Sequence, residues 1–223
     1  MKLLHVDAGL RKAGSTSRDL ARHFVDRLRR GVHQLSVEHL DLAAVPPPHI
    51  TEGFATATYT PAAERTDAMR KALALSDGLC KSLLAADALL FVMPMHNWSM
   101  PSAFKAYIDA IVRGGITYTV TPDGRFEGRL TNRKVLFLTT RGVDLRPGSP
   151  LAAMDALTPA LRAAFGFIGV EDPVFVDAQP VQFASAELVA DAVARAQSEL
   201  DLIADQWAGI SNAEPGCLER AVL

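Results

Sequence analysis

The segment ALLFVMPMHNWSMPSAFKAYID, residues 88–109, has the pattern of a strand, a short turn and a helix. Its first six residues are all apolar, as in a central strand of a parallel sheet, which is buried on both faces. After the turn, Pro101 favours the start of a helix, and Phe104, Tyr107 and Ile108 follow at helical spacing. The segment therefore predicts a strand–turn–helix unit whose turn carries the polar and aromatic sequence HNWS.

The same alternation of strands and helices continues along the chain. Predicted strands cover residues 2–8, 34–42, 87–93, 134–140 and 174–178. Predicted helices cover residues 17–30, 60–85 and 101–113, begin again at Ser149-Pro150, and end with residues 185–208. Between them we expect a long loop at residues 43–59 and a small hairpin at 114–128, turning at 122–124.

Strands that alternate with helices indicate a parallel sheet covered on both faces, which is an α/β fold. Five such strands fit the doubly wound, flavodoxin-like order 2-1-3-4-5. We expect residues 1–223 to form a single domain, with the C-terminal tail from about residue 210 peripheral to it. In this order the ligand crevice lies at the carboxyl ends of the first and third strands, beside the loops at residues 9–17, 94–99 and 140–148.

The composition excludes several classes of protein. A net charge of -2 gives no electrostatic basis for binding nucleic acid or an anionic membrane. Cys80 and Cys217 are too few for a disulfide framework or a set of metal ligands, so we expect no metal. The N-terminus is broken by His5 and Asp7 and is not a signal peptide, and no apolar run approaches the ~20 residues of a membrane span. These features predict a cytoplasmic protein.

The loop GLRKAGSTS, residues 9–17, is the first candidate for ligand binding. It fails the phosphate-loop pattern of nucleotide hydrolases because no lysine precedes the hydroxyl residues, and it fails the dinucleotide glycine pattern. What remains is a helix N-terminus with Ser15, Thr16 and Ser17, whose amide and hydroxyl donors suit a single phosphate group. The alternative is ordinary N-capping of the helix by Thr16 or Ser17.

The turn MHNW, residues 95–98, is the second candidate. A serine nucleophile elbow is absent, no carboxylate in the nearby sequence would orient His96 as a base, and His96 alone is not a zinc site. The backbone amides of 95–98 and the Asn97 side chain would instead bind the polar edge of a flat heteroaromatic ring, with Met95 and Trp98 in apolar contact. The alternative is a plain turn with Trp98 packed in the core.

The loop that begins TTRGV, residues 139–143, is the third candidate. Gly142 allows the backbone to approach a ligand closely, and the amides of 141–143 would face the other polar edge of the ring. Arg141 is either a charge beside the ring or a surface residue.

Taken together, the motifs GLRKAGSTS, MPMHNWSMPSAFKAYIDAIVRGGITY, TTRG and FGFIGV resemble those of the FMN-dependent NADH:quinone oxidoreductases and azoreductases. The resemblance runs from Lys2 to about Asp205. It implies a flavodoxin-like fold, a homodimer and tightly bound FMN. It also implies a flavin-binding set in this chain: Gly9, Ser15, Thr16, Ser17, Met95, His96, Asn97, Trp98, Thr140, Arg141, Gly142 and Val143.

This sequence departs from the family at four of those positions. The family usually has Ser where Gly9 stands, Tyr at His96, Phe at Trp98 and a second Gly at Val143. The first departure removes a hydroxyl from the phosphate side. The other three alter the wall of the pocket and bear on the choice of substrate.

The function implied is transfer of hydride from NADH or NADPH to flavin N5 and then, in ping-pong fashion, of electrons to a quinone or aromatic azo compound. Because the flavin carries the chemistry, no side chain is predicted to be catalytic. Tyr118 and Phe167 are expected as aromatic walls above the flavin, one of them across a dimer interface, although core packing would also account for them. The hairpin at 114–128 would supply that interface or a lid.

Three alternative functions remain at this stage. A flavin reductase would release reduced FMN to a partner. An electron carrier of flavodoxin type is disfavoured because such carriers are shorter and strongly acidic. An esterase or phosphodiesterase using Ser15 would contain no flavin and would lose hydrolysis on Ser15→Ala.

Overall fold

A parallel five-stranded sheet forms the centre of the computed structural model, which describes residues 1–210. Its strands are β1 (Lys2–Asp7), β2 (Ser36–Asp41), β3 (Ala88–Pro94), β6 (Lys134–Thr140) and β7 (Val174–Ala178). They lie in the order β2-β1-β3-β6-β7 with parallel pairing throughout, which confirms the predicted order 2-1-3-4-5. Cys217 and the tail predicted to be peripheral lie outside the described residues.

The predicted hairpin is present as a separate antiparallel pair. Its strands are β4 (Tyr118–Val120) and β5 (Phe126–Gly128). Thr121 closes the turn because its amide donates to the carbonyl of Arg125 at 2.8 Å. The hairpin therefore interrupts the alternation between β3 and β6 without joining the main sheet.

Helices cover both faces of the sheet. They are α1 (Thr16–Gly31), α2 (Glu52–Tyr59), α3 (Asp67–Ala85), α4 (Ser102–Ile111), α5 (Leu157–Phe167) and α6 (Ala186–Ala208). On one face, α1 and α6 bury Phe24 and Leu200 against the sheet. On the other face, Leu83, Phe104 and Phe165 of α3, α4 and α5 pack in a second apolar cluster. Burial on both faces accounts for the unbroken apolar run of β3.

One helix was not predicted, and two others begin later than predicted. The segment 43–59, which was expected to be a loop, contains α2. Gly53 and the threonines of this helix have low helix propensity. Thr51 caps the helix, because its side chain accepts a hydrogen bond from the Phe54 amide at 3.2 Å. The helix predicted from Thr60 begins at Asp67 instead, after a 3₁₀ turn and a cap at Thr66. The helix predicted from Ser149 begins at Leu157, after another 3₁₀ turn.

A membrane-spanning helix would need a long apolar stretch, and none of the helices within residues 1–210 has one.

Candidate functional site

The loops that leave the carboxyl ends of β1, β3, β6 and β7 border two adjoining cavities of about 220 and 410 Å³. Both cavities touch Met95, His96, Gly142 and Gln182, so they form one cleft. The cleft lies where the strand order reverses, as predicted for a doubly wound sheet. The predicted binding residues that line it are Gly9, Ser15, Thr16, Ser17, Met95, His96, Asn97, Trp98, Thr140, Gly142 and Val143.

The smaller cavity ends at the N-terminus of α1. Ser15 is the N-cap residue, yet its side chain makes no capping hydrogen bond; its Oγ lies 3.2 Å from Oγ of Ser17. The amides of Thr16, Ser17 and Arg18 have no acceptor within residues 1–210. The N-capping alternative is therefore wrong. Ser15, Thr16 and Ser17 line the cavity, so hydroxyl and amide donors are available beside it, as at a helix N-terminus that binds an anion.

Arg18 holds this loop from behind. Its guanidinium contacts Oδ2 of Asp7 at 3.0 Å, donates to the carbonyl of Gly9 at 2.7 Å, and pairs with Asp41 at 3.0 Å. The Gly9 amide donates to Oδ1 of Asp7 at 2.9 Å. Burial raises the pKa of the Asp7 carboxyl, while the Gly9 amide and Arg18 oppose that effect. The loop is thus tied to β1 by a buried carboxylate and to β2 by a half-buried ion pair.

Gly9 leaves room beside the hydroxyls. A Cβ at this position would lie 3.4 Å from Oγ of Ser17 and 3.7 Å from Oγ of Ser15. It would also lie 3.3 Å from Oδ1 of Asp7, a tight contact. A serine in place of Gly9 would add a third hydroxyl to the same group.

The turn after β3 is a two-residue hairpin. His96 and Ser99 exchange both backbone hydrogen bonds, at 2.9 and 3.0 Å, around Asn97 (φ 47°) and Trp98 (φ 71°). Asn tolerates this left-handed conformation, whereas Trp rarely adopts it, so the position of the Trp98 backbone is costly. The amides of Asn97 and Trp98 have no acceptor within residues 1–210. The expectation that Met95 and His96 also offer free amides is wrong, because these amides donate to Thr140 and Ser99.

Trp98 is 38% exposed, which excludes the alternative that places it in the core. His96 lines both cavities, and partial burial lowers the pKa of its imidazole. In the described part of the chain His96 forms no ion pair. It therefore lacks the orienting carboxylate of a general base, as the sequence indicated.

The loop after β6 offers two further donors. The amides of Gly142 and Val143 find no acceptor among the described residues, whereas the amide of Arg141 donates to the carbonyl of Ala178 at 3.0 Å. Four free amides, at 97, 98, 142 and 143, thus surround the larger cavity.

Arg141 corrects the prediction, because its side chain does not line the cleft. It is only 2% exposed and pairs with Asp155 at 2.7 Å and Asp177 at 3.1 Å. It also donates to the hydroxyls of Thr139 and Thr158. Arg141 is therefore neither a charge beside a ring nor a surface residue; it joins β6, β7 and the start of α5 behind the cleft.

Sequence reasoning missed the loop after β7, which supplies Gln182 and Phe183 to the cleft. The signal was available, because the carboxyl ends of all strands in a parallel sheet lie on the same edge. Leu10 and Arg11 of the first loop were also missed as lining residues.

Tyr118 and Phe167 do not line either cavity of the single chain, so their role as aromatic walls, one of them across a dimer interface, stays a prediction. They pack together at 4.7 Å between ring centroids, and Phe126 joins them on the hairpin. Phe126 and Phe167 are exposed, so these rings form a surface cluster and not part of the core.

One group of possible metal ligands lies behind the cleft: His5, Asp7 and His39, whose ligand atoms are within 4.8 Å of one another. Both oxygens of Asp7 are engaged, by the Gly9 amide and the Arg18 guanidinium. Burial, with the nearby His39 and Arg18, lowers the pKa of His5 to about 3. A cation would have to compete with Arg18, and we assign the group to the support of the first loop.

Comparison with known proteins agrees with this geometry. Residues 1–201 match the family described as having the flavodoxin-like fold. An "FMN-dependent NADH:quinone oxidoreductase 1" of Trichormus variabilis is 41% identical over 207 residues, covering 93% of this chain and 97% of the relative. A similar protein of Nostoc punctiforme is 37% identical, over 93% of this chain and 100% of the relative.

Among solved structures, an FMN-dependent NADH-azoreductase from Bacillus anthracis in complex with FMN has a TM-score of 0.82. It is 22% identical over 93% of this chain and 99% of that chain, and so supports the fold. The chain belongs to the family of flavodoxin-like FMN-dependent NADH:quinone oxidoreductases.

Proposed function

We propose that this protein is an FMN-dependent NAD(P)H oxidoreductase that reduces quinones and aromatic azo compounds. The observation that carries the proposal is the cleft itself: an uncapped helix N-terminus with buried hydroxyls at one end, and four free backbone amides at the other. FMN has the matching chemistry, a phosphate at one end and a flat ring with polar edges at the other. The names of the relatives, which specify FMN and NADH, support the same assignment.

The chain has residues suited to each part of FMN. The amides of Thr16, Ser17 and Arg18 and the hydroxyls of Ser15 and Ser17 would hold the phosphate. The amides at 97, 98, 142 and 143 and the Asn97 side chain would hold the polar edges of the ring. Met95, His96, Trp98 and Thr140 would form the surrounding wall.

Bound FMN supplies the redox chemistry, accepting hydride at N5. The protein's contribution is to bind, orient and polarise: backbone donors stabilise negative charge at the ring edge without any titrating residue. A single cleft would serve the nicotinamide donor and the acceptor in turn, which gives ping-pong kinetics. One such cycle reduces a quinone, and two reduce an azo bond to amines.

The surface cluster of Tyr118, Phe126 and Phe167 is the proposed contribution of each chain to a homodimer. Exposed aromatic groups of this kind are typical of protein interfaces. We propose that one domain carries the whole activity. The proposed location is the cytoplasm, the compartment that keeps a thiol such as Cys80 reduced.

The test is the visible spectrum of the purified protein loaded with FMN. We expect flavin to remain bound after gel filtration, to be bleached by NADH or NADPH, and to recover its colour when a quinone is added. Release of the reduced flavin on the column would identify a flavin reductase. A flavin that neither nicotinamide bleaches would identify an electron carrier. The main proposal fails if no flavin is bound at micromolar concentration.

A further inference from the structure

The loop at residues 179–185 is fixed against the edge of the cleft. Three consecutive amides hold it: Val181 donates to the carbonyl of Arg141 at 2.9 Å, and Gln182 and Phe183 donate to that of Gly142 at 3.3 and 3.0 Å. Because β6 lies between β3 and β7, Gly142 lies between this loop and the turn that carries Trp98. The loop therefore forms the side of the cleft on which β7 lies.

Phe183 is an exposed aromatic residue in this loop. Its side chain is 74% exposed, although its backbone is held in place. A Cβ on Gly142 would lie 3.2 Å from Cε2 of the Phe183 ring, so the lack of a side chain at 142 makes room for the ring. Phe183 and Trp98 line the same cavity of about 410 Å³.

An exposed ring on a fixed backbone suits contact with a planar aromatic ligand. Aromatic pairs gain about 0.5–1.5 kcal/mol beyond the burial of their area, and that burial grows with the number of rings in the ligand. Among residues 1–210, no Glu or Asp lines this cavity, so a planar acceptor that carries a negative charge meets no carboxylate from them.

We propose that Phe183 is a specificity-determining residue that favours planar acceptors with two or more rings over those with a single ring. This inference rests on the proposed function, because the acceptor is taken to enter the cleft of the FMN-loaded protein. It concerns the acceptor and not the cofactor, whose binding donors lie on other residues.

The experiment uses the FMN-loaded protein and two unreactive ligands, naphthalene-2-carboxylate and benzoate, whose dissociation constants are measured by calorimetry. We expect Phe183→Ala to raise the constant for the two-ring ligand about tenfold, and that for benzoate less than threefold. Phe183→Tyr keeps the aromatic ring, so both of its dissociation constants should stay within twofold of the wild-type values. Tyr59→Ala is the matched control, because Tyr59 is an exposed aromatic on α2 that does not line the cleft.

The ratio of catalytic efficiencies for two quinones should change in the same direction as the dissociation constants. The ratio of kcat/KM for a naphthoquinone to that for a benzoquinone should fall about fivefold in Phe183→Ala, with the same melting temperature, since the exposed ring contributes little to stability. Equal changes for one-ring and two-ring ligands, or none, in a protein that still binds FMN and turns over would overturn this inference alone. A wild-type chain without bound FMN would overturn the proposed function and this inference together.

Discussion

Arg18 and Arg141 support opposite ends of the same cleft. Arg18 joins Asp7 of β1 and Asp41 of β2 behind the loop that precedes α1. Arg141 joins Asp177 of β7 and Asp155 beside the start of α5. Each arginine ties the carboxyl end of a strand to its neighbours, yet only Arg18 has a fully buried partner: Asp7 is 2% exposed, whereas Asp41, Asp155 and Asp177 are 21%, 19% and 23% exposed.

The two ends also present different donors to the cleft. At the α1 end, buried hydroxyls of Ser15 and Ser17 add to the amides. At the other end the free donors are the backbone amides at 97, 98, 142 and 143, and the side chains around them are exposed or half-buried. Backbone donors survive side-chain replacement, so side chains at the second end are free to vary with the substrate. We therefore expect the departures that the resemblance implies at His96, Trp98 and Val143 to leave the backbone donors in place.

The largest effect is expected where an arginine leaves a buried carboxylate unpaired. Arg18→Met should lower the free energy of unfolding by about 4 kcal/mol at pH 7, because Asp7, whose side chain is only 2% exposed, loses its ion-pair partner. Arg141→Met should cost about 2 kcal/mol, because water reaches both of its carboxylates. Urea unfolding measures both losses. Arg146→Ala is the control: Arg146 forms an exposed ion pair, so this change should alter the free energy of unfolding by no more than about 1 kcal/mol.

The loss of stability in Arg18→Met should depend on pH, because it arises from the buried Asp7 carboxylate. Without Arg18 the pKa of Asp7 rises further above its unfolded value, so the folded state binds a proton more readily than the unfolded state. The difference in stability between Arg18→Met and wild type should therefore shrink by about half from pH 7 to pH 5. A constant difference would contradict the assignment of the cost to the buried charge.

The next prediction compares the loss of FMN affinity when a hydroxyl donor is removed at the α1 end with the loss when a side chain is changed at the ring end. Ser15→Ala should weaken FMN binding about thirtyfold, since a hydrogen bond to a charged group contributes roughly 2 kcal/mol. Trp98→Phe should change the same constant less than threefold, because the backbone donors remain. Quenching of FMN fluorescence measures both constants, with Ser198→Ala on α6 as control. Equal losses in the two site variants would remove the distinction between the two ends.

At the α1 end, acid should destabilise the folded protein through the protonation of His5. Its folded-state pKa of about 3 lies below the unfolded value of 6.5, so the unfolded state takes up the proton first as the pH falls. Protonation of the ring in the unfolded state should lower the free energy of unfolding by about 2 kcal/mol between pH 8 and pH 5, with most of the loss below pH 6.5. His5→Phe should remove this slope, as measured by urea unfolding at each pH; an unchanged slope would show that other groups cause it.

The smallest effect tests the turn. Asn97→Ala should destabilise the protein by about 1 kcal/mol, because alanine tolerates a φ of 47° less well than asparagine, whereas Asn97→Gly should leave stability within about 0.5 kcal/mol. Both variants lose the side-chain amide, so their FMN affinities should be equal. A difference in stability with the opposite sign would show that the exposed side chain, and not the backbone conformation, supports the turn.

The strands and the hairpin were predictable because apolar periodicity depends on local sequence, whereas the sheet order came from the likeness to doubly wound folds. Eleven of the twelve predicted binding residues line the cleft, because they lie in loops that follow predicted strands. The position of the Arg141 side chain was not predictable, because its partners Asp155 and Asp177 lie 14 and 36 residues away in the sequence. Helix α2 was missed because its composition opposes a helix and packing against α3 supplies the stability.

The sequence by itself determined the parallel sheet, the edge at which its ligand crevice lies and the loops that reach that edge. Only the tertiary structure decided which amides are free: those of Met95, His96 and Arg141 donate to other carbonyls, whereas those at 97, 98, 142 and 143 find no acceptor among residues 1–210. It also brought Phe183 beside Gly142 and turned Arg141 away from the cleft. The physical reason is that hydrogen-bond partners and burial depend on contacts between segments far apart in the chain, which local pattern does not encode.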